Sequence, residues 1–224
     1  MKTETKMDAR ERKIVRDLAQ RVAELARSDE NARRRKLWCD VNSLRKPARP
    51  PVICHPGWGA WTELLPDSAL ACADPALKGI ERQFRQTLHK WDIGDDTVVE
   101  PWMPVYTVMR LNGDHFWGLP ITHIQPASAS AACPTVTAWR YDPPLKEESD
   151  IEKIVAPTYR HDPEATRENV SWMQDLLGDI LPVQEVCGVP GPGAWLHGWA
   201  TELRGVEQLL VDLWDRPEWV HRLM

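Results

Sequence analysis

The sequence has 224 residues, of which 42% are hydrophobic and 27% charged, and its formal net charge is −5. This composition is typical of a globular protein with one sizeable hydrophobic core or two smaller ones. The negative charge gives no reason to expect a nucleic acid or an anionic membrane as a partner. No apolar run approaches the roughly 20 residues that a membrane-spanning helix needs, and residues 1–10 are polar, unlike the apolar segment of a signal peptide. We therefore expect a cytoplasmic protein.

Cysteine, proline and tryptophan are used in ways that restrict the fold. The five cysteines include no Cys-x-x-Cys pair, which favours reduced thiols over a disulfide framework. The nineteen prolines predict loops and sharply bounded elements. Twelve tryptophans stand against two phenylalanines and three tyrosines, and tryptophan suits both core packing and the walls of ligand pockets.

Residues 8–37 are predicted to form amphipathic helices. Apolar side chains recur there at helical spacing and define one buried stripe, which consists of Ile14, Val15, Leu18, Val22 and Leu25. Residues 29–31 are expected to interrupt the helix. The basic run at residues 33–36 is interpreted as a solvated helix face, with a phosphate-binding patch as the alternative. We expect residues 1–45 to form a helical extension that packs on the rest of the protein.

The next segment alternates between strand and helix patterns. The short apolar run from Pro51 to Cys54 predicts a buried strand, and the glycine-rich loop after it marks the strand's end. Residues 75–91 predict a helix with Asp74 as its N-cap. Residues 96–102 predict a second strand, which could extend to Val108.

The second half of the sequence begins with an irregular stretch at residues 111–145. An insert of this length is more typical of a lid or a binding loop than of filler. A helix over residues 162–177 and a third strand over 179–187 follow. Helix then continues to a break near Asp215, which is the predicted N-cap of a last helix. The sequence ends when the pattern of that helix has barely begun, so we expect the chain to be part of a longer protein. Strands that alternate with helices predict parallel βαβ units and an α/β fold.

Several short segments carry a family resemblance. They are Arg49-Pro-Pro-Val52, Trp61-Thr-Glu-Leu-Leu-Pro66, Phe116-Trp117-Gly118, Gly188-Val-Pro190, Gly205-Val-Glu-Gln-Leu-Leu210 and Asp215-Arg-Pro-Glu218. Together they cover most of residues 40–224, and they resemble the uroporphyrinogen decarboxylase-like superfamily. The resemblance implies a (β/α)8 TIM barrel with its pocket at the C-terminal ends of the strands. Residues 46–224 would then form the N-terminal part of that barrel, about three strand–helix units, including the insert.

The sequence departs from the true decarboxylases of that superfamily at three positions. They carry arginines after the first strand, where this chain has Cys54-His-Pro-Gly-Trp-Gly59. They have an aspartate after the second strand and a tyrosine after the third, where this chain has Glu100-Pro-Trp102 and Trp195-Leu-His197. Because arginine is the residue best suited to hold several carboxylates, classical decarboxylation of uroporphyrinogen is not expected.

The resemblance then implies methyl transfer that involves a corrinoid or a thiol acceptor. In that branch a zinc ion activates the thiol, and its histidine and cysteine ligands lie largely in the second half of the barrel, so no metal ligand is predicted in this chain. A corrinoid would arrive bound to a partner protein. The alternatives are a decarboxylase for another carboxylated substrate and a catalytically inactive binding or assembly module. Half a parallel barrel leaves strand edges and apolar surface open, so we expect a homo-oligomer.

Three residues are predicted to be catalytic. Glu100 ends an otherwise apolar strand, where desolvation could raise its pKa for general acid or base chemistry. Its alternative role is to pair with a structural arginine. His55 follows the first predicted strand and His197 follows the third, at the loops where the active sites of parallel α/β folds lie.

Six residues are predicted to bind substrate: Cys54, Trp58, Trp102, Trp117, Glu185 and Trp195. With Trp61, the tryptophans near these loops could form an aromatic wall for a flat or methylated ligand, including a quaternary amine, and core packing is the alternative. Glu185 and Cys187 share one strand face. Asp114, His115 and His123 lie in the insert, where substrate contact is favoured over metal binding because the histidine spacing fits no common zinc signature.

Overall fold

A computed structural model describes residues 8–125, 139–188 and 196–224. The α-helices are α1 Ala9–Ala26, α2 Asp29–Asn42, α3 Trp58–Leu64, α4 Pro75–Ile93, α5 Pro163–Leu177, α6 Leu196–Arg204, α7 Val206–Asp215 and α8 Pro217–Leu223. The strands are β1 Met103–Tyr106, β2 Met109–Asn112, β3 Thr122–Ile124, β4 Arg140–Asp142, β5 Thr158–His161 and β6 Val183–Val186. Short 3₁₀-helices cover Asp67–Ala69, Phe116–Gly118 and Glu148–Lys153. The fold is mixed α/β with small sheets.

The chain divides into two compact units. The first comprises Met1–Tyr106 and Thr166–Val186, and the second comprises Thr107–Ala165 and Cys187–Met224. The predicted helical extension thus contributes α1 and α2 to the first unit. None of the helices in the described residues combines the length and the apolar character needed to cross a bilayer.

The first unit is organised around one hydrophobic core. Its buried side chains come from α1, α4, α5, β1 and the segment before β6, and include Val15, Leu18, Leu77, Ile80, Phe84, Leu88, Val105, Leu176, Leu177 and Leu181. The apolar stripe predicted for α1 therefore packs in the core. The helix break is confirmed but falls at Arg27 and Ser28, where the Ser28 side chain caps α2.

The basic run on α2 is engaged in ion pairs. Arg33 and Arg34 both pair with Glu30, while Arg35 pairs with Glu100 and Lys36 with Asp40. Each of these positive charges thus has a carboxylate partner in the same unit.

The third predicted strand contains β6, which pairs in parallel with β1, and β1 lies in the possible extension of the second predicted strand rather than in its residues 96–102. β1 lies beside β6, with Met103 opposite Val183 and Tyr106 opposite Val186. Because parallel neighbours need a crossover connection, the helix before β6 is the element that the predicted βαβ pattern requires. Residues 96–102, however, lie outside the strand, which begins at Met103.

The first predicted strand is wrong. Residues 51–54 belong to no sheet, because carboxylates bind the backbone where a strand would pair. The N–H of Val52 donates to Asp96 and that of Cys54 to Asp95, each at 2.8 Å. Pro51 has no N–H to offer a ladder.

The second unit combines two antiparallel strand pairs with α6, α7 and α8. β2 pairs with β5 and β3 with β4, so the insert predicted to be irregular contains regular strands in its described part. Leu145, Ile151, Leu203, Trp219 and Val220 form the core of this unit. The break before α8 is confirmed, with Pro217 in its first turn, but Arg216 rather than Asp215 is the N-cap residue.

Candidate functional site

A cavity of about 690 Å³ lies within the second unit. Its volume falls in the range of about 300–1,000 Å³ typical of small-molecule sites. Its lining comes from β3, β4, α6 and the segment around the 3₁₀-helix Phe116–Gly118. The lining residues are Asp114, His115, Phe116, Leu119, Ile121, His123, Trp139, Tyr141, His197, Gly198, Trp199, Thr201 and Glu202.

The pairing of β3 with β4 builds one wall of this cavity. His123 lies directly opposite Tyr141 in the register, and Trp139 precedes Tyr141 by two residues, which places both on the same face of the extended chain. The ring centroids of His123 and Trp139 are 4.0 Å apart. Trp139 and Tyr141 meet nearly edge to face, at 4.6 Å and 82°.

A histidine–carboxylate pair connects this wall to α6. Nε2 of His123 lies 2.7 Å from Oε2 of Glu202. The two side chains are 35% and 25% exposed, so a bound molecule can reach them from the cavity. When the Nε2–H tautomer donates to the carboxylate, the bond orients the imidazole and leaves Nδ1 as the proton acceptor.

Stacked rings form another part of the lining. Phe116 and Trp199 stack with centroids 4.4 Å apart and an interplanar angle of 22°. Trp117 meets both rings at steep angles and packs against the core of the second unit. The cavity thus lies between aromatic surfaces from three separate elements.

Trp117 has an uncommon backbone conformation beside the cavity. Its φ angle is +63°, a region that bulky residues rarely adopt, and its carbonyl accepts the N–H of Val155 at 3.0 Å. Its buried indole N–H has no hydrogen-bond partner among the described residues. Residues with strained backbone conformations cluster at functional sites. The conformation of Trp117 is therefore consistent with a functional role for this cavity.

The charges of the lining have one sign. Asp114 and Glu202 contribute carboxylates, and the described lining includes neither lysine nor arginine. The remaining polar lining consists of imidazoles, a phenol, two indoles and a hydroxyl. The cavity is therefore suited to a neutral or positively charged molecule rather than to an anion.

The structure separates the residues predicted to be functional into different places. His197 lines the cavity, together with Asp114, His115 and His123 from the insert. Trp117 packs behind its aromatic wall. Trp195 and the side chain of Trp58 lie outside the part of the chain that the structure describes.

Glu100 and Trp102 line a different cavity, which lies in the first unit and has a volume of about 370 Å³. Trp61 also lines it. The carboxylate of Glu100 accepts hydrogen bonds from both terminal nitrogens of Arg35, at 2.9 and 3.4 Å. The geometry of Glu100 therefore matches its alternative role, which is to pair with a structural arginine.

The other predicted residues lie on the surface. Cys54 and His55 are exposed, and the backbone N–H of Cys54 is bound by Asp95. Glu185 and Cys187 are exposed at the end of β6. These four residues lie outside the cavities described above.

Sequence reasoning missed four aromatic residues and a carboxylate in the cavity wall: Phe116, Trp139, Tyr141, Trp199 and Glu202. A usable signal was present in the alternation Trp139-Arg-Tyr141, which predicts one aromatic strand face. That face pairs with His123 of β3, and residues 126–138 separate the two strands in the sequence. A local sequence pattern does not specify a pairing between segments so far apart.

The described residues bring together no group of three or more His, Cys, Asp or Glu side chains that could hold a metal ion. No family model matches the sequence, and neither a curated protein nor a solved structure matches the chain.

Proposed function

We propose that the chain is part of a (β/α)8 barrel of the uroporphyrinogen decarboxylase-like superfamily, and that the intact enzyme transfers a methyl group to a corrinoid or thiol acceptor. The parallel pairing of β1 with β6 supports the barrel architecture, because parallel strands joined through helices are its building unit. The aromatic cavity of the second unit is the proposed substrate site.

The observation that carries the proposal is the pairing of His123 with Glu202 inside that cavity, at 2.7 Å. Transfer of a methyl group to a thiol requires loss of the S–H proton, and a histidine oriented by a carboxylate is a common base for such a step. The proton moves from sulfur to the imidazole of His123. The sulfur then forms the bond to the methyl carbon, while the bond to the leaving group breaks and its electron pair stays on that group.

The aromatic walls supply the second requirement, which is exclusion of water. Apolar ring faces around a reacting methyl group keep the nucleophile poorly solvated and the reactants aligned. Zinc, which the resemblance implies, would hold the thiol as thiolate. The described residues bring together no donor set for a zinc ion, and the resemblance places the zinc ligands outside this chain, so the steps given above use only His123 and Glu202.

The decarboxylase alternative receives less support from the same cavity. A substrate with several carboxylates needs cationic partners, and the described lining offers Asp114 and Glu202 instead. A catalytically inactive binding module remains the third hypothesis, and it predicts ligand binding without turnover.

The test is a methyl-transfer assay on the intact protein, with 2-mercaptoethanol as acceptor and, in separate reactions, methylcobalamin or the quaternary ammonium choline as donor. S-methylated product is measured by mass spectrometry against a protein-free reaction. We expect His123→Asn and Glu202→Gln to lower the rate by about 100-fold, while His221→Asn, an exposed histidine on α8, leaves it unchanged. Product at the protein-free rate with both donors would overturn the proposal, and binding without product would favour the inactive module.

A further inference from the structure

We infer that the methyl donor taken by the aromatic cavity is a small organic cation, an amine whose nitrogen carries several methyl groups. This inference rests on the proposed function and names the class of its substrate. Its basis is the combination of ring faces and carboxylates in a single cavity of the second unit.

The aromatic rings that line the cavity stand at different angles to one another. Trp139 and Tyr141 stand nearly perpendicular, at 82° with centroids 4.6 Å apart, while Phe116 and Trp199, which also line the cavity, stack at 22°. An ammonium with methyl groups is attracted to the faces of aromatic rings, and walls at steep angles can contact several of its methyl groups at once. A flat neutral ligand would need only one pair of parallel faces.

The cavity lining also carries charge. Glu202 and Asp114 give the lining two carboxylates, with neither lysine nor arginine among its described residues. Their field favours a cation over a neutral molecule of the same shape. A quaternary ammonium cannot donate a hydrogen bond, so it leaves the bond between Glu202 and His123 in place.

The reaction follows from the chemistry of such a cation. When a quaternary ammonium gives up a methyl group to a thiol, the broken C–N bond leaves its electron pair on nitrogen and the product is a neutral tertiary amine. The sulfur gains the methyl group, and the thiol proton goes to His123 and then to solvent.

Isothermal titration calorimetry of the full chain at pH 8 tests the inference with three probes of one shape. Choline is the cation, 3,3-dimethylbutan-1-ol its neutral isostere and 3,3-dimethylbutyrate an anion. We expect choline to bind at least about tenfold more tightly than the alcohol, and the anion to bind more weakly than both.

Substitutions then assign the binding to this cavity. Trp139→Leu keeps an apolar side chain but removes the ring, and Glu202→Gln keeps the shape but removes the charge. Each should weaken choline binding by about fivefold or more with a much smaller effect on the alcohol. Trp214→Leu is the matched control, because Trp214 belongs to the same unit but is 88% exposed and lies outside the cavity.

The outcomes separate the inference from the proposed function. If the alcohol or the anion binds as tightly as choline, the inference is wrong, while the methyl-transfer assay still decides the proposed function independently. If choline binds but Glu202→Gln and Trp139→Leu do not weaken it, the inference is wrong for this cavity. Far-UV circular dichroism of each variant shows that it is folded, and Glu202→Gln decides the question if Trp139→Leu fails to fold.

Discussion

Two buried aspartates after α4 hold the proline-rich segment at residues 49–54. Asp96 accepts two hydrogen bonds of 2.6 Å from Arg49 and one of 2.8 Å from the N–H of Val52. The Arg49 guanidinium and these hydrogen bonds outweigh desolvation and lower the pKa of Asp96 to about 2. The charged form of Asp96, together with Asp95, therefore holds a segment that pairs with no strand among the described residues.

This pair makes the stability of the first unit depend on pH. A carboxyl group whose pKa is lower in the folded state contributes stability above its ordinary pKa and loses it as the pH falls through its folded value. For Asp96 the loss occurs between the ordinary pKa of 3.8 and about 2. We expect Asp96→Asn to reduce the free energy of unfolding at pH 6 by on the order of 2 kcal/mol, measured by urea denaturation.

The difference in the free energy of unfolding between Asp96→Asn and the unaltered protein should become smaller as the pH falls from 3.8 to about 2. Asp17→Asn is the control, because its pair with Lys13 is largely solvent-exposed and should contribute less than about 1 kcal/mol. Two results would contradict the role of the Asp96 charge: a difference in the free energy of unfolding that stays constant down to pH 3, or an equal destabilisation by Asp17→Asn.

At the level of elements, α4 shows how several local signals define one helix. Asp74 accepts hydrogen bonds from the N–H groups of Ala76 and Leu77, at 2.9 and 3.0 Å. Pro75 occupies the first turn, and Gly94 ends the helix with a φ angle of +78°. These signals agree with the apolar spacing that places Leu77 and Phe84 in the core.

We expect Asp74→Ala to destabilise the first unit by about 1 kcal/mol, because two N–H groups lose their acceptor. Asp74→Asn should retain most of the stability, since an asparagine side chain caps helices about as well. Thermal or urea unfolding followed by circular dichroism measures both. Equal losses in the two variants would indicate that charge, rather than the cap, is what matters at this position.

The contrast between α4 and β3–β4 explains what could be predicted from sequence. A helix is specified by residues three and four apart, so the bounds of α4 and α5 were predicted to within two residues. The partner of a three-residue strand is set by distant contacts, and His123 was recognised as a candidate without Tyr141 or Glu202. The apolar pattern of residues 51–54 predicts a strand, but that pattern does not show that carboxylates bind the backbone of this segment.

The same limit applies to the candidate site. His197, Asp114 and His115 were proposed from their loops, and the cavity brings them together. The tryptophan bias of the sequence is compatible with both core packing and pocket walls, and no local pattern singles out a ring such as Trp199, which lines the cavity. Aromatic residues look alike in a sequence whether they pack in a core or line a cavity, and only their tertiary contacts separate the two roles.

At the scale of the whole molecule, α7 presents an unusual apolar surface. Leu210, Leu213 and Trp214 are 62%, 54% and 88% exposed, and their spacing places them along one side of the helix. In the same unit, Asp212 is fully buried and bound to Arg204 at 2.7 Å. The helix is therefore held by a polar anchor on one side and offers apolar side chains to solvent on the other.

A second copy of this chain is the occupant that we predict for that surface. Contiguous exposed apolar side chains are typical of interaction sites, and isologous pairing of one helix face is a common way to form a dimer. Sedimentation velocity should show association that increases with concentration. The double substitution Leu210→Glu and Trp214→Glu should shift the protein towards single chains, because opposing carboxylates would repel each other across the two-fold axis.

Leu44→Glu is the matched control for this experiment. Leu44 is 96% exposed but belongs to the first unit, so its replacement removes a comparable apolar side chain from another surface and should leave association unchanged. Sedimentation as single chains at every concentration would show that α7 does not mediate pairing of this protein. Association that persists in the double variant but is lost in Leu44→Glu would instead assign the interface to the first unit.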